Sequence, residues 1–284
     1  MKILCLHGRG SNNEIFQLQT AAFRAELEDF EFEYVQGTVP HTEGNWSLYT
    51  TEFPNTPLYG YYDPLRPSSI QQAEDDLLRL IRENGPFDGV LSYSGGTALA
   101  AQIIIRDALE NPFRLPGDRP FRFATFINGV TPLKVFPIND AEFTEMTMQN
   151  STLIREASAL LLRDSATRVR KSKSHFDDHD PAAIKAELMA LETKTLTDGR
   201  LCLSDGRYGI TRYDSDIDGI LIDIPTLHVR CPEEQDFHHG QHMTQLCDPE
   251  QSMQFHHHNG EDFPRGHAEM KKIAQMIREL AEKA

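Results

Sequence analysis

The sequence predicts an α/β protein with a mainly parallel, doubly wound sheet. Three observations carry that expectation. Short apolar runs recur along the chain, each stops at a loop rich in Gly, Ser or Asn, and stretches of helical period fill the intervals. Parallel strands covered on both faces read as near-continuous apolar runs, and their ligands sit beyond the carboxyl ends of the strands.

Lys2 to Leu6 is the first such run and ends at Gly8-Arg9-Gly10-Ser11-Asn12-Asn13. Glu14 to Leu27 places Ile15, Phe16, Leu18, Ala22, Phe23 and Leu27 close to helical period. Phe30 to Val35 alternates Phe30, Phe32 and Tyr34 with Glu31 and Glu33, which marks a strand with one wetter face. Residues 37 to 67, rich in Pro, Gly and Tyr, read as a long loop of the kind that is usually functional or mobile. Ser69-Ile70-Gln71-Gln72 resembles a capping box and predicts a helix from there to about Glu83.

Phe87 to Tyr93 predicts the next strand, Thr97 to Leu109 a helix, and Phe121 to Ile127 a strand closed by Asn128-Gly129. Residues 131 to 215 break the alternation. Thr152 to Leu162 and Ala182 to Leu191 look helical around a charged stretch, so this segment is expected to be a small helical cap, a lid inserted within one domain spanning 1–284. Strand signals resume at Ile224 to Val229 and Met253 to His257. Gln241 to Cys247 reads as part of a helix, and Pro264 to Lys283 as a final helix opened by proline. The loops at Gly8, Tyr93-Ser94, Asn128, Cys231 and Asn259 are therefore expected to converge.

Composition narrows the function. With 284 residues, 28 Lys plus Arg and 43 Asp plus Glu, the net charge is −15. That argues against nucleic acid and anionic membranes as partners. No apolar run approaches the ~20 residues of a membrane span. The opening apolar run is too short for the core of a signal peptide. Cys5, Cys202, Cys231 and Cys247 are scattered with no CxxC, as expected of reduced thiols in a cytoplasmic protein.

Ser92-Tyr93-Ser94-Gly95-Gly96 stands between a strand and a helix, the context of a nucleophile elbow. Ser92 replaces the usual first glycine but is still small. In this reading Ser94 is the nucleophile. The oxyanion donors are the amide of Gly95 and one from the Gly8-Arg9-Gly10 loop, that of Arg9.

These strings carry a family resemblance. Leu6-His7-Gly8-Arg9-Gly10-Ser11-Asn12, followed by Ile15-Phe16, Gln19 and Arg24, closely resembles the opening of the FSH family of serine hydrolases. Gly85-Pro86-Phe87-Asp88-Gly89-Val90, Ile224-Pro225-Thr226-Leu227-His228-Val229, Cys247-Asp248-Pro249 and Pro264-Arg265 resemble its later segments, in order. The resemblance implies an α/β-hydrolase fold and hydrolysis of an ester or thioester of a small, largely apolar, polyketide-like acyl substrate in secondary metabolism. That substrate is either free or carried on a carrier protein or CoA. No cofactor is implied.

The resemblance departs at two triad positions. The family's Gly-x-x-Asp window is Cys231-Pro232-Glu233-Glu234 here, which makes Glu234 the candidate acid and Asp236 its rival. The family's Gly-His-x-x-Pro-Arg is Gly260-Glu261-Asp262-Phe263-Pro264-Arg265, which puts Glu261 where the histidine belongs. A carboxylate with pKa ~4.3 is a poor base for a serine unless burial raises it. His256, His257 and His258 precede this loop, and His258 is the alternative base. His267 is a weaker one. Two further readings follow from the departure: a cyclase, isomerase or lyase using Glu261 and Glu234 as acid and base, and a pseudo-enzyme.

Seven of the twelve histidines lie between 238 and 267, and His238 and His242 stand at i, i+4. No HExxH string accompanies them, and three consecutive histidines on a strand cannot face one ion, so no metal site is expected. His175, His179 and the Asp177-Asp178 pair give weaker grounds still.

Overall fold

The computed structural model describes residues 1–41, 56–144, 191–232, 239–260 and 262–284. In chain order these form β1 (Lys2–Leu6), α1 (Asn13–Arg24), β2 (Glu31–Val35), β3 (Val39–Pro40), β4 (Tyr59–Gly60), α2 (Pro67–Asn84), β5 (Gly89–Tyr93), α3 (Gly95–Glu110) and β6 (Phe123–Ile127). There follow β7 (Leu133–Pro137), β8 (Glu192–Thr195), β9 (Leu201–Ser204), β10 (Tyr208–Arg212), α4 (Ser215–Asp218), β11 (Thr226–Arg230), α5 (His239–Gln245), β12 (Ser252–His256) and α6 (His267–Lys283).

Six strands make the main sheet in the order β2-β1-β5-β6-β11-β12, all parallel. Alternation along each strand feeds two cores. Ile3, Cys5, Leu91, Tyr93, Phe123, Ile127, Leu227 and Val229 point to one face, with Phe16 and Phe23 of α1 and Ile273, Ile277 and Leu280 of α6. Leu4, Leu6, Val90, Ala124 and Phe126 point to the other, with Leu77 of α2 and Leu99, Ile103 and Ile104 of α3. The period of two sorts neighbouring residues to opposite faces, so unbroken apolar runs are what a doubly covered sheet requires.

The chain leaves β1 in one direction, to β2, and returns on its other side as β5. That reversal opens a crevice beyond the carboxyl ends of β1 and β5, where an open parallel sheet takes its ligand. The Gly8 loop and Ser94 follow these two ends.

Two local expectations shift. The helix expected from a cap at Ser69 starts earlier, with Pro67 in its first turn. Proline lacks the N–H that would be unbonded there and carries a helical φ. Ser69 Oγ instead accepts from the Asp63 amide at 3.0 Å. The final helix starts at His267 after Gly266 (φ 100°), not at Pro264.

The segment expected to be a helical cap contains a second sheet. Strands β7, β10, β9 and β8, in that order, are antiparallel and pack through Leu133, Leu203 and Ile210 against Leu65, just before α2, and Ile70 near its start. The strand signal was weak because β10 contains Gly209. A Cβ there would come within 2.6 Å of the Phe136 ring and 2.8 Å of Cys202 Sγ. An aromatic from the neighbouring strand fills the space a side chain would take. The helix expected at 152–162, and all but the last residue of that expected at 182–191, lie outside the described residues, as do His175, Asp177, Asp178 and His179.

Candidate active site

Ser94 is the residue between the end of β5 and the first turn of α3, at φ 49° and ψ −120°. A non-glycine residue rarely adopts this conformation, which costs about 1–3 kcal/mol and persists only where its surroundings hold it in place. Here they do. The Ser94 amide donates to Ile127 O at 2.9 Å, and Ser94 O accepts from the Thr97 amide at 2.9 Å and from the Thr97 hydroxyl. Thr97 Oγ1 also accepts from the Val130 amide at 2.8 Å, which ties the elbow to the loop after β6.

Small residues let the Gly8 loop reach the serine. A Cβ on Gly8 would lie 3.0 Å from the Tyr93 ring and 3.3 Å from Ser94 Cβ. A Cβ on Gly95 would lie 3.2 Å from Arg9 N, so the main chain of Arg9 stands against Gly95. A Cβ on Gly96 would lie 2.6 Å from both Leu6 O and His7 O, so only glycine lets α3 sit this close to the end of β1. Gly10, at φ 70°, donates its amide to Tyr59 O at 3.0 Å and fixes the far side of the loop on β4. Ser94, Gly8, Arg9, Gly10 and Gly95 are thus one assembly. The serine is 4% exposed within it.

His7 belongs to the scaffold of this loop. Its Nδ1–H donates to Gly8 O at 2.8 Å and its Nε2 accepts from the Gly37 amide at 3.0 Å. Burial pulls its pKa down to about 4, so the ring stays neutral near pH 7.

The end of the sheet opposite β2 carries a pair that the sequence reading left without a role. Asn128 follows β6 at φ 47°, and its amide donates to Val229 O at 2.8 Å. Its side-chain Nδ2 donates to Asp262 O at 2.9 Å. Its Oδ1 is 2.8 Å from Nε2 of His257, whose Nδ1 accepts from the Asn259 amide at 3.2 Å. His257 is buried, and burial, with His258 and His256 beside it, brings its pKa down to about 4. Its neighbour His258, the expected alternative base, is exposed, as are His256, His242 and His267. Just past the end of β12, residue 257 is buried while 256 and 258 face solvent. The only sequence signal for this pair was that Asn128 and Asn259 each follow the end of a strand.

Glu234, Asp236, His238 and Glu261 lie outside the described residues. The four cysteines are buried and unpaired. Among the described residues no helix is long and apolar enough to cross a membrane.

What the described residues bring together is a strained, buried serine at a strand–helix turn and the Arg9 main chain packed against the glycine that follows it. The family model described as "Serine hydrolase (FSH1)" matches residues 1–273. The chain is similar to "Esterase FPY3" of Fusarium mangiferae, with 40% identity over 131 residues, 44% of this chain and 56% of that protein. It is similar along nearly its whole length to "Hydrolase FUB4" of Fusarium oxysporum, with 26% identity over 278 residues, 98% of this chain and 97% of that one. The chain thus spans little more than half of the esterase and nearly all of the hydrolase. Among solved structures, Arabidopsis thaliana SOBER1 is similar at 13% identity over 99% of this chain and 98% of its own, with a TM-score of 0.46. That likeness is too loose to add to the fold, which stands on strand order and the family match.

Proposed function

The chain belongs to the serine hydrolase (FSH1) family, and from that premise we propose that it cleaves an ester or thioester of a small, largely apolar acyl group through Ser94. The observation that carries this reading is the strained Ser94 turn, with the Arg9 main chain packed against Gly95. Ser94 Oγ attacks the acyl carbonyl. The negative charge that develops on the carbonyl oxygen is stabilised by the Gly95 and Arg9 amides. The proton from Oγ passes to a base and then to the departing alkoxide or thiolate. Water, deprotonated by the same base, releases the acid from the acyl-serine and returns a proton to Oγ.

We place the base at Glu261, which occupies the family's histidine position, with Glu234 or its rival Asp236 as the candidate second carboxyl. Two facts support Glu261 over the histidines. Both ring nitrogens of His257 are engaged by Asn128 and Asn259, and His258 is exposed. The acyl class, and a substrate delivered free or on CoA or a carrier protein, rest on the family resemblance.

A fluorophosphonate probe tests the proposal. Labelling of the wild type, lost in Ser94→Ala, together with hydrolysis of p-nitrophenyl and acyl-thioester substrates, is the expected result. A wild type that neither labels nor hydrolyses refutes it.

A second reading draws on the same departure. With Glu261 in the family's histidine position, a carboxyl pair suits proton transfer in a cyclisation or isomerisation as well as it suits acyl transfer. Turnover of a cyclisable substrate that survives Ser94→Ala distinguishes the two.

A further inference from the structure

We propose that Asn128 is a positioning residue for acyl transfer at Ser94, because one carboxamide holds both the His257 ring and the main chain of the loop after β12. The inference rests on the hydrolase reading and adds to it a group that does not itself touch substrate.

Chemistry fixes the orientation of the carboxamide. Asp262 O can only accept, so the amide nitrogen of Asn128 must face it, at 2.9 Å. Oδ1 then faces His257 Nε2 at 2.8 Å and can only accept, so His257 carries its proton on Nε2. Its Nδ1 lone pair takes the Asn259 amide. A ring so engaged has no lone pair free for the serine proton. It is a strut, and Asn128 is what it leans on.

The strut is anchored at the serine. Asn128 is bonded directly to Ile127, whose carbonyl accepts the Ser94 amide at 2.9 Å. Its own amide is bonded to Val229 O, and the His257 amide to Arg230 O at 3.0 Å. The ends of β5, β6, β11 and β12 are therefore laced in series, and the Asn128 side chain spans from β6 across β11 to the loop after β12. Asp262, which it holds, is the residue after 261.

The backbone argues for use of the side chain. At φ 47° glycine is the least strained residue, and Asn is among the few others that tolerate the region. Glycine would relax the turn but make neither bond.

The test compares wild type, Ser94→Ala, Asn128→Gly and Asn128→Asp by p-nitrophenyl butyrate hydrolysis, fluorophosphonate labelling and nitrogen NMR of labelled imidazoles. A misplacement on the order of 1 Å costs about 10²-fold, so Asn128→Gly is expected to lower kcat by roughly 10- to 100-fold with little change in KM. It should also release the His257 proton from Nε2 into exchange between the two nitrogens. Asn128→Asp keeps the acceptor for His257 and loses the donor to Asp262, so it should keep the Nε2 proton and recover part of kcat. An unchanged kcat in Asn128→Gly, with the wild type labelled at Ser94, overturns the positioning role and leaves the hydrolase reading intact. A His257 resonance that ignores Asn128→Gly overturns the contact. Should Asn128→Gly not fold, a kcat in Asn128→Asp equal to wild type overturns the role of the Asp262 bond. A wild type without Ser94-dependent labelling removes both readings.

Discussion

Asn128 Oδ1 accepts the Nε2–H of His257 at 2.8 Å, across the intervening strand β11. The contact takes the one buried histidine of the His256–His258 run out of contention as a resting base. It leaves the identity of the base as the main question the site poses, and variants answer it directly.

Triad members act as a unit, so Ser94→Ala should abolish hydrolysis, and loss of the true base should cost about 10²–10⁴-fold. If Glu261 is that base, Glu261→Gln falls in this range and His258→Ala stays near wild type. The reverse order would assign the base to His258. Steady-state kinetics on an ester and a thioester reads the difference.

Gly96 faces the carbonyls of Leu6 and His7, and a methyl group would meet both at 2.6 Å. Gly96→Ala should destabilise the fold by about 1–3 kcal/mol, since α3 must lift from β1. It should also weaken fluorophosphonate labelling, because Ser94 moves with the helix. Gly117→Ala, whose methyl would meet nothing within 4 Å, is the control. Thermal melts of the pair should separate by roughly 2–4 °C per kcal/mol. Equal melting temperatures would rule out the close approach.

Two further buried histidines make the fold sensitive to acid. Burial pulls His7 down to about 4, and burial with the Arg230 charge pulls His228 down to about 3. The unfolded chain protonates these rings near 6.5 and the folded chain does not, so unfolding takes up protons as pH falls. Their contribution to stability is complete above about 6.5 and is lost progressively down to about 4 and 3. For His7 alone the loss is on the order of 3 kcal/mol. Denaturant midpoints measured across this window should fall with pH, and a His7→Gln variant should fall less steeply.

Glu74 has the opposite sign. It is buried between α2 and α3, where Gln102 Nε2 donates to it at 3.0 Å and Arg106 Nη1 lies 3.3 Å away. Burial pushes its carboxyl up to about 7 in spite of the Arg106 charge. The folded state holds this proton where the unfolded state has lost it, so stability falls as pH rises from about 4.5 to about 7. Glu74→Gln mimics the protonated form. It should match wild type near pH 5 and exceed it at pH 8 in denaturant midpoint. A variant weaker than wild type at pH 8 would show that the Arg106 pairing outweighs the cost of burial.

The doubly wound sheet was legible because its inner strands β1, β5, β6 and β11 are largely buried local runs, and burial on two faces imposes that composition whatever lies around it. The strand–helix turn at Ser94 was legible for a related reason. A strained turn between a strand and a helix needs small neighbours, and Gly95 and Gly96 stand beside it in the chain. The antiparallel sheet was not legible. Strand β10 pairs with β7 across some seventy residues, and Gly209 is filled by Phe136 from that partner, so its stability comes from contacts that no local window contains. The choice among His256, His257 and His258 was equally closed to the sequence. Three identical side chains in a row differ only in the face to which the pleat turns them. Which of them is buried depends on where β12 ends and on Asn128, 129 residues away, whose carboxamide receives His257.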